Sequence, residues 1–170
     1  FSTVLLSLLV TGITGSILNS QLSAGVKDVN LSSALVEARS TIFTAEYRFL
    51  LAQGEKDSVV QKVVDDVISS ATTLTSNENA REVVFLRSPG NNRENNYEIA
   101  SNLLDPNSIP SALSEQVRKS PDLAYQYTTM SYLTGMKIKG LAIGQKVQIP
   151  NAGQYEMYII FSLANQQKTL

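Results

Sequence analysis

The chain has 170 residues, of which 43% are hydrophobic and 17% charged, and its formal net charge is -1. This length suits one domain with a packed core, and two domains are not expected. A net charge near zero gives no positive field to attract nucleic acid, so nucleic acid is not expected as a partner. The sequence has no cysteine and no histidine, which excludes disulfides, thiolate metal sites and the commonest general base.

The motifs of common enzyme classes are also missing from the sequence. It contains no glycine-rich nucleotide loop, no Walker motif and no Gly-x-Ser-x-Gly elbow. Asp65 and Asp66 are adjacent in a predicted helix, where neighbouring side chains point in different directions and cannot hold one ion together. We therefore expect no catalytic residue, no metal and no cofactor in this chain.

The N-terminal segment, residues 1–18, has no charged residue, and the first charge is Lys27. At about 1.5 Å per residue this segment spans about 27 Å, close to the hydrocarbon thickness of a bilayer. We expect residues 1–20 to form a transmembrane helix, truncated at Phe1, whose orientation charge bias does not reveal. The alternatives are a buried core helix and the apolar part of a signal peptide, but the helical pattern continues past this segment without a break.

Two amphipathic helices are predicted next, because apolar residues recur at alternating steps of four and three. The first stripe is Leu31, Leu35, Ala38, Ile42, Ala45, Phe49 and Ala52, and Gly54 is the expected C-cap. The second helix follows the acidic segment 55–57 and runs to about Thr75, with the stripe Val60, Val64, Val67, Ala71 and Leu74. Either stripe can form the intrachain core, and part of the first can form a parallel dimer seam.

After Ser76 the hydrophobic period changes from about 3.6 to 2, which predicts a sheet. The predicted strands are 82–88, 97–100, 125–132, 141–149 and 156–164, with a short helix at 111–119 and a hairpin turn at 150–153. The expected fold class is α+β: a PAS-like sensor domain with an antiparallel sheet of about five strands and two long N-terminal helices. Leu141, Ile143, Val147 and Ile149 should face those helices, as should one alternate set of residues in the last strand.

Two places are candidate binding sites. Arg87, Arg93 and Glu98 surround a polar loop and are weak candidates for ligand binding, because ordinary solvation of the loop explains these residues better. Met136 and Ile138 alternate with Lys137 and Lys139 at a predicted hairpin tip, which suits contact with a partner or with lipid headgroups. A partly buried hairpin is the alternative for this tip.

Three segments carry a resemblance to a known family. They are VEAR at 36–39, SPDLAYQYTT at 120–129 and YEMYIIFSLA at 155–164, and together they resemble the extracytoplasmic region of MtrB-type sensor histidine kinases of actinobacteria. The resemblance covers nearly the whole chain, with Ser162 where the family pattern has proline. It implies an extracytoplasmic sensor domain at 21–164, with 165–170 leading into a second transmembrane helix.

The resemblance further implies the sensor module of a two-component phosphorelay at the plasma membrane, which senses envelope or osmotic stress. The implied partners are membrane lipid, an envelope lipoprotein regulator and a response regulator bound by the cytoplasmic part of the receptor. Receptors of this class work as parallel homodimers, which favours a seam at Leu22, Val26, Val29 and Leu31. The alternative function is a signal-anchored envelope binding protein or scaffold without a kinase.

Overall fold

The computed structural model describes residues 31–73 and 81–163, and the described part is a mixed α+β fold. Its three α-helices are α1 (Leu31–Leu51), α2 (Asp57–Thr73) and α3 (Ser111–Lys119). Its five strands are β1 (Arg81–Arg87), β2 (Ile99–Ala100), β3 (Ala124–Ser131), β4 (Lys137–Ile149) and β5 (Gly153–Ser162).

The five strands form one antiparallel sheet in the order β2-β1-β5-β4-β3, so the first and last strands are neighbours. The β4–β5 hairpin is the longest pairing and runs from Gly140 opposite Ser162 to Ile149 opposite Gly153. Its turn needs two left-handed residues, and Asn151 at φ 62° and Gly153 at φ 88° provide them. The predicted hairpin turn is therefore confirmed.

Each face of the sheet covers its own hydrophobic core. The larger core contains the buried stripes of α1 and α2 together with Leu141, Ile143, Val147, Ile149, Met157, Ile159 and Phe161. The smaller core packs α3 against the opposite face, through Leu113, Val117, Val84, Ala142, Tyr158 and Ile160. Because both faces are covered, β5 is buried continuously from Tyr155 to Phe161 rather than at alternate residues.

The start of α1 and the end of β5 lie at one end of the sheet, which we call the entry end. Arg81, the first residue of β1, is buried and forms an ion pair with Glu37 in the second turn of α1. Arg81 also lies opposite Phe161 near the end of β5. The opposite end, which we call the far end, holds the α1–α2 connection and the β4–β5 turn, where the Asn151 amide donates to the Glu55 carbonyl at 2.9 Å.

The predicted fold class is confirmed as mixed helix and sheet, with five antiparallel strands and three helices among the described residues. The short helix has the predicted bounds, whereas the strand predicted at 97–100 is reduced to Ile99–Ala100. Tyr97 does not pair with β1, because its backbone N–H donates instead to the Tyr155 hydroxyl at 3.0 Å.

Several predictions lie outside the described residues. They are the transmembrane helix at 1–20, the seam positions Leu22, Val26 and Val29, and the lead-in at 165–170. Within 31–73 and 81–163, no helix is long and apolar enough to cross a membrane.

Candidate functional site

The polar loop that follows β1 lies at the far end of the domain, and two of its predicted site residues hold the loop itself. The Arg87 guanidinium donates to the Asn95 carbonyl at 2.7 Å, and the Arg87 backbone donates to the Glu98 carboxylate at 3.0 Å. The Asn91 amide donates to the carbonyls of Ala152 and Gln154, which fastens the loop to the β4–β5 turn. Arg87 and Glu98 therefore hold the shape of the loop.

Arg93 is the predicted residue that lines a groove, which has a volume of about 530 Å³. The groove lies between the C-terminal half of α1 and the β4–β5 turn, and its other lining residues are Glu46, Phe49, Leu50, Gln53, Gln148, Pro150, Asn151 and Gly153. Partial burial raises the pKa of the Glu46 carboxyl above its ordinary value. A carboxylate and a guanidinium over an apolar floor suit a small polar ligand better than a purely apolar one.

Glu46 was not among the predicted site residues. The available signal is its position on α1, since it directly follows Ala45 of the buried stripe and so borders the apolar face. No group of three acidic residues in 31–73 and 81–163 could hold a metal ion.

A buried carboxylate, Glu156, lies on the α3 face of the sheet. It is 1% exposed, and it accepts hydrogen bonds from the Ser114 and Tyr158 hydroxyls, each at 2.5 Å. Arg118 on α3 forms an ion pair with it at 3.2 Å. Burial, followed by the hydrogen bond to Glu156, raises the pKa of the Tyr158 hydroxyl. This cluster fastens α3 to the sheet.

A second buried carboxylate, Glu82, lies on the same face near the entry end. It accepts hydrogen bonds from the Ser101 hydroxyl, the Asn102 amide at 3.0 Å and the Tyr132 hydroxyl at 3.0 Å. Burial, followed by the negative charge of Glu82, raises the pKa of Tyr132. Sequence reasoning missed both carboxylates, although a charged residue inside an apolar strand is the signal that could have found them.

The predicted hairpin tip between β3 and β4 lies at the entry end. Met136 is 55% exposed, whereas Ile138 is partly buried against the smaller core. The tip also exposes Leu133, whose backbone donates to the carbonyl of the exposed Leu103 at 2.9 Å. Because β4 begins at Lys137 and first pairs with β5 at Gly140, the tip extends beyond β5, by about 10 Å at about 3.3 Å per residue.

The sequence matches no protein-family model and no curated protein. The described residues form an α+β domain with a core on each face of the sheet, in which α1 begins and β5 ends at the same end. The groove that contains Arg93 and Glu46 lies at the other end, beside the long first helix.

Proposed function

We propose that the chain is the extracytoplasmic sensor domain of a transmembrane sensor histidine kinase, of the class that its sequence resembles. The observation that carries this proposal is the entry end, where the start of α1 and the end of β5 lie side by side. A domain held between two membrane spans must leave and rejoin the bilayer at one surface. The uncharged segment 1–18 supplies the first of those spans in the proposal.

The proposed domain type is PAS-like. The strand order β2-β1-β5-β4-β3, with a helical connection between β2 and β3, supports it because PAS-type sensor domains share this order. The two long N-terminal helices that precede β1 agree with a sensor joined to a membrane span.

In the proposed arrangement the entry end faces the plasma membrane and the hairpin tip contacts lipid headgroups. The tip exposes Leu133 and Met136, the neighbouring Leu103 is exposed as well, and Lys137 and Lys139 are exposed beside them. Apolar side chains flanked by cations suit the interface of an anionic bilayer. Ile138 is partly buried, so Met136 is the better contact residue of the predicted pair.

The proposed signal is read at the far end and transmitted through α1. The groove takes Glu46, Phe49 and Leu50 from this helix, and the same helix begins at the entry end. A small ligand or an envelope lipoprotein bound there can shift the receptor only by favouring one of two arrangements of α1. In the proposed phosphorelay, envelope or osmotic stress selects the arrangement, and the cytoplasmic kinase of a homodimer phosphorylates its response regulator.

Labelling of a far-end cysteine tests the proposed location. The chain has no cysteine of its own, so Asn92→Cys in the exposed loop gives one unambiguous site. A membrane-impermeant maleimide should label this site in intact cells as completely as in lysed cells. Labelling only after lysis would place the domain in the cytoplasm and contradict the proposal.

Autophosphorylation of the full-length receptor in membrane vesicles tests the proposed signalling. Arg93→Ala should change the response to osmotic upshift while the basal rate is kept, because the groove belongs to sensing and not to chemistry. Lys62→Ala, an exposed cation on α2, is the matched control and should leave the response unchanged. A full-length protein without any phosphorylation would favour the envelope scaffold instead.

A further inference from the structure

A second groove lies at the far end of the domain, and Arg93 lines it as well as the first. This second groove, which we call the loop groove, has a volume of about 520 Å³ and is lined by residues 88–93 and Gln154. The first groove, between α1 and the β4–β5 turn, contains Arg93 together with Glu46, and we call it the α1 groove. The two grooves therefore meet at one arginine.

The loop groove offers hydrogen-bond donors and one positive charge, and none of its described lining residues is a carboxylate. In the part of the chain that the structure describes, the Arg93 guanidinium has no ion pair or hydrogen bond, and the N–H groups of Gly90 and Asn92 have no acceptor. Ser88 is 5% exposed, and its hydroxyl has no partner among the same residues. Because buried polar groups without a partner are uncommon in folded proteins, this set of donors indicates a place for an anionic group.

The loop that forms this groove is held in place by the domain itself. The Asn91 side chain donates to the carbonyls of Ala152 and Gln154, at 2.8 and 2.9 Å. The Ser88 N–H donates to the same Gln154 carbonyl at 3.2 Å. A site that is already ordered loses little conformational entropy when a ligand binds, so a small ligand with few contacts can be recognised there.

The α1 groove adds the opposite charge and apolar surface. Glu46 is partly buried, and its carboxylate has no ion pair or hydrogen bond among the described residues. Partial burial raises the pKa of this carboxyl, and a cation beside it would oppose that change. Phe49, Leu50 and Pro150 line the same groove. Glu46 and Arg93 thus line one groove without pairing with each other, which leaves each charge free for a ligand.

We infer that the joined grooves bind a zwitterion, whose carboxylate contacts Arg93 and the loop groove and whose ammonium group contacts Glu46. A guanidinium can bind a carboxylate through two parallel hydrogen bonds, and the free donors of the loop lie beside it. Apolar side chains of the ligand suit the surface of the α1 groove. Free amino acids and short peptides have this chemistry. The inference rests on the sensing proposed for the far end and names its class of ligand.

Isothermal titration calorimetry of the 170-residue chain in mild detergent tests the inference. The probes are L-leucine and L-alanyl-L-leucine, and we expect saturable binding of at least one of them; the tighter probe shows whether the site takes an amino acid or a peptide. N-acetylation removes the ammonium group and amidation removes the carboxylate, and each should weaken binding by about tenfold. Neither probe binding, or capped probes that bind as tightly as the free one, would overturn the inference.

Substitutions in the two grooves assign each end of the probe to its residue. Arg93→Gln should weaken binding of the free probe by about tenfold, and amidation should then have little further effect, because the group that contacted the carboxylate is gone. Glu46→Gln should remove the effect of N-acetylation in the same way. Arg39→Gln and Glu94→Gln are the matched controls, since both charges are exposed and line neither groove, and the affinity should stay close to that of the wild type.

Circular dichroism checks that each variant is folded. Effects of capping that persist unchanged in both groove variants would place the charged ends of the probe elsewhere and overturn the assignment. The Asn92 labelling measures the location of the domain without any ligand. A domain that is outside the cell but binds neither probe would contradict only the inference, whereas a domain that binds a probe but is labelled only after lysis would contradict only the proposed function.

Discussion

Glu156 is the most deeply buried charged side chain among the described residues, and its partners are divided between two elements. Tyr158 is on the same strand, whereas Ser114 and Arg118 come from α3. A buried carboxylate costs several kcal/mol unless it is paired and hydrogen-bonded. The cluster therefore ties the position of α3 to one residue of β5.

Arg118→Met tests this link. It keeps most of the side-chain volume but leaves Glu156 without its cation, and we expect a loss of about 2 to 4 kcal/mol in the free energy of unfolding. Lys119→Met is the matched control, because Lys119 pairs with Glu115 on the exposed surface of the same helix and such a pair contributes about 0.5 kcal/mol or less. Urea denaturation measures both variants. Similar losses would show that the buried pair adds nothing beyond a surface pair.

We predict that the folded domain loses stability at alkaline pH, because the hydroxyls of Tyr132 and Tyr158 are buried. Both pKa values are raised in the folded state, by burial first and then by a neighbouring carboxylate. Unfolded tyrosine ionises near pH 10, so the stability from the neutral hydroxyls is fully present below about pH 10 and declines above it. Each hydroxyl contributes a decline of up to about 1.4 kcal/mol per pH unit.

Urea denaturation between pH 8 and 11 measures that decline. The double variant Tyr132→Phe, Tyr158→Phe should be less stable at pH 8 but lose less stability as the pH rises. Tyr47→Phe, which removes an exposed hydroxyl, should keep the wild-type slope. An unchanged slope in the double variant would assign the alkaline transition to other groups.

The β4–β5 turn stabilises the connection between α1 and α2, which lies 96 residues earlier in the sequence. The Asn151 amide donates to the Glu55 carbonyl and to the Asp57 carboxylate, each at 2.9 Å. Asn151 is also left-handed, at φ 62°. One residue thus fixes both the hairpin turn and the start of α2.

Substitutions at Asn151 separate these two roles. Asn151→Gly keeps the left-handed backbone and loses the amide, with an expected cost of about 1 kcal/mol. Asn151→Ala adds backbone strain of about 1 kcal/mol. Asn151→Asp places a second carboxylate beside Asp57 and should be less stable than the glycine variant at pH 7 but closer to it at pH 4. Thermal melts compare the three variants with the wild type, and a glycine variant as stable as the wild type would show that the amide contributes nothing.

The elements that sequence patterns predicted well are those with a clear hydrophobic period. The stripes of α1 and α2 gave helices with the expected buried faces, and Pro110 followed by a short amphipathic run gave α3. The groove was predicted only through Arg93, because Glu46 is distant in sequence and reaches the same place only after α1 packs on the sheet. Glu82 and Glu156 were missed for a similar reason, since their partners come from elsewhere in the chain.

In the proposed orientation of the domain, we predict that the hairpin tip between β3 and β4 contacts lipid directly. A fluorophore on Leu133→Cys, in the chain reconstituted into anionic vesicles, should be quenched by nitroxide lipids. The same label on Asn92→Cys at the far end should not be quenched. Replacing anionic with zwitterionic lipid should weaken quenching at the tip, because Lys137 and Lys139 lose their counter-charge.

Equal quenching at the two labelled positions would contradict the proposed orientation of the domain. Quenching at neither position would show that the tip does not contact the bilayer, and a protein partner would then be the alternative for its exposed apolar residues.

Because the start of α1 lies close to the end of β5, the domain is suited to insertion into another protein. The Glu37–Arg81 ion pair and the pairing of Arg81 with Phe161 hold the two connections together inside the domain. Residues 31–163 can therefore replace a surface loop of an unrelated host protein without pulling its flanking segments apart. Inserted between the halves of a split fluorescent reporter, the domain would report any movement of α1 as a change in fluorescence, so the proposed sensing could be tested with purified envelope components.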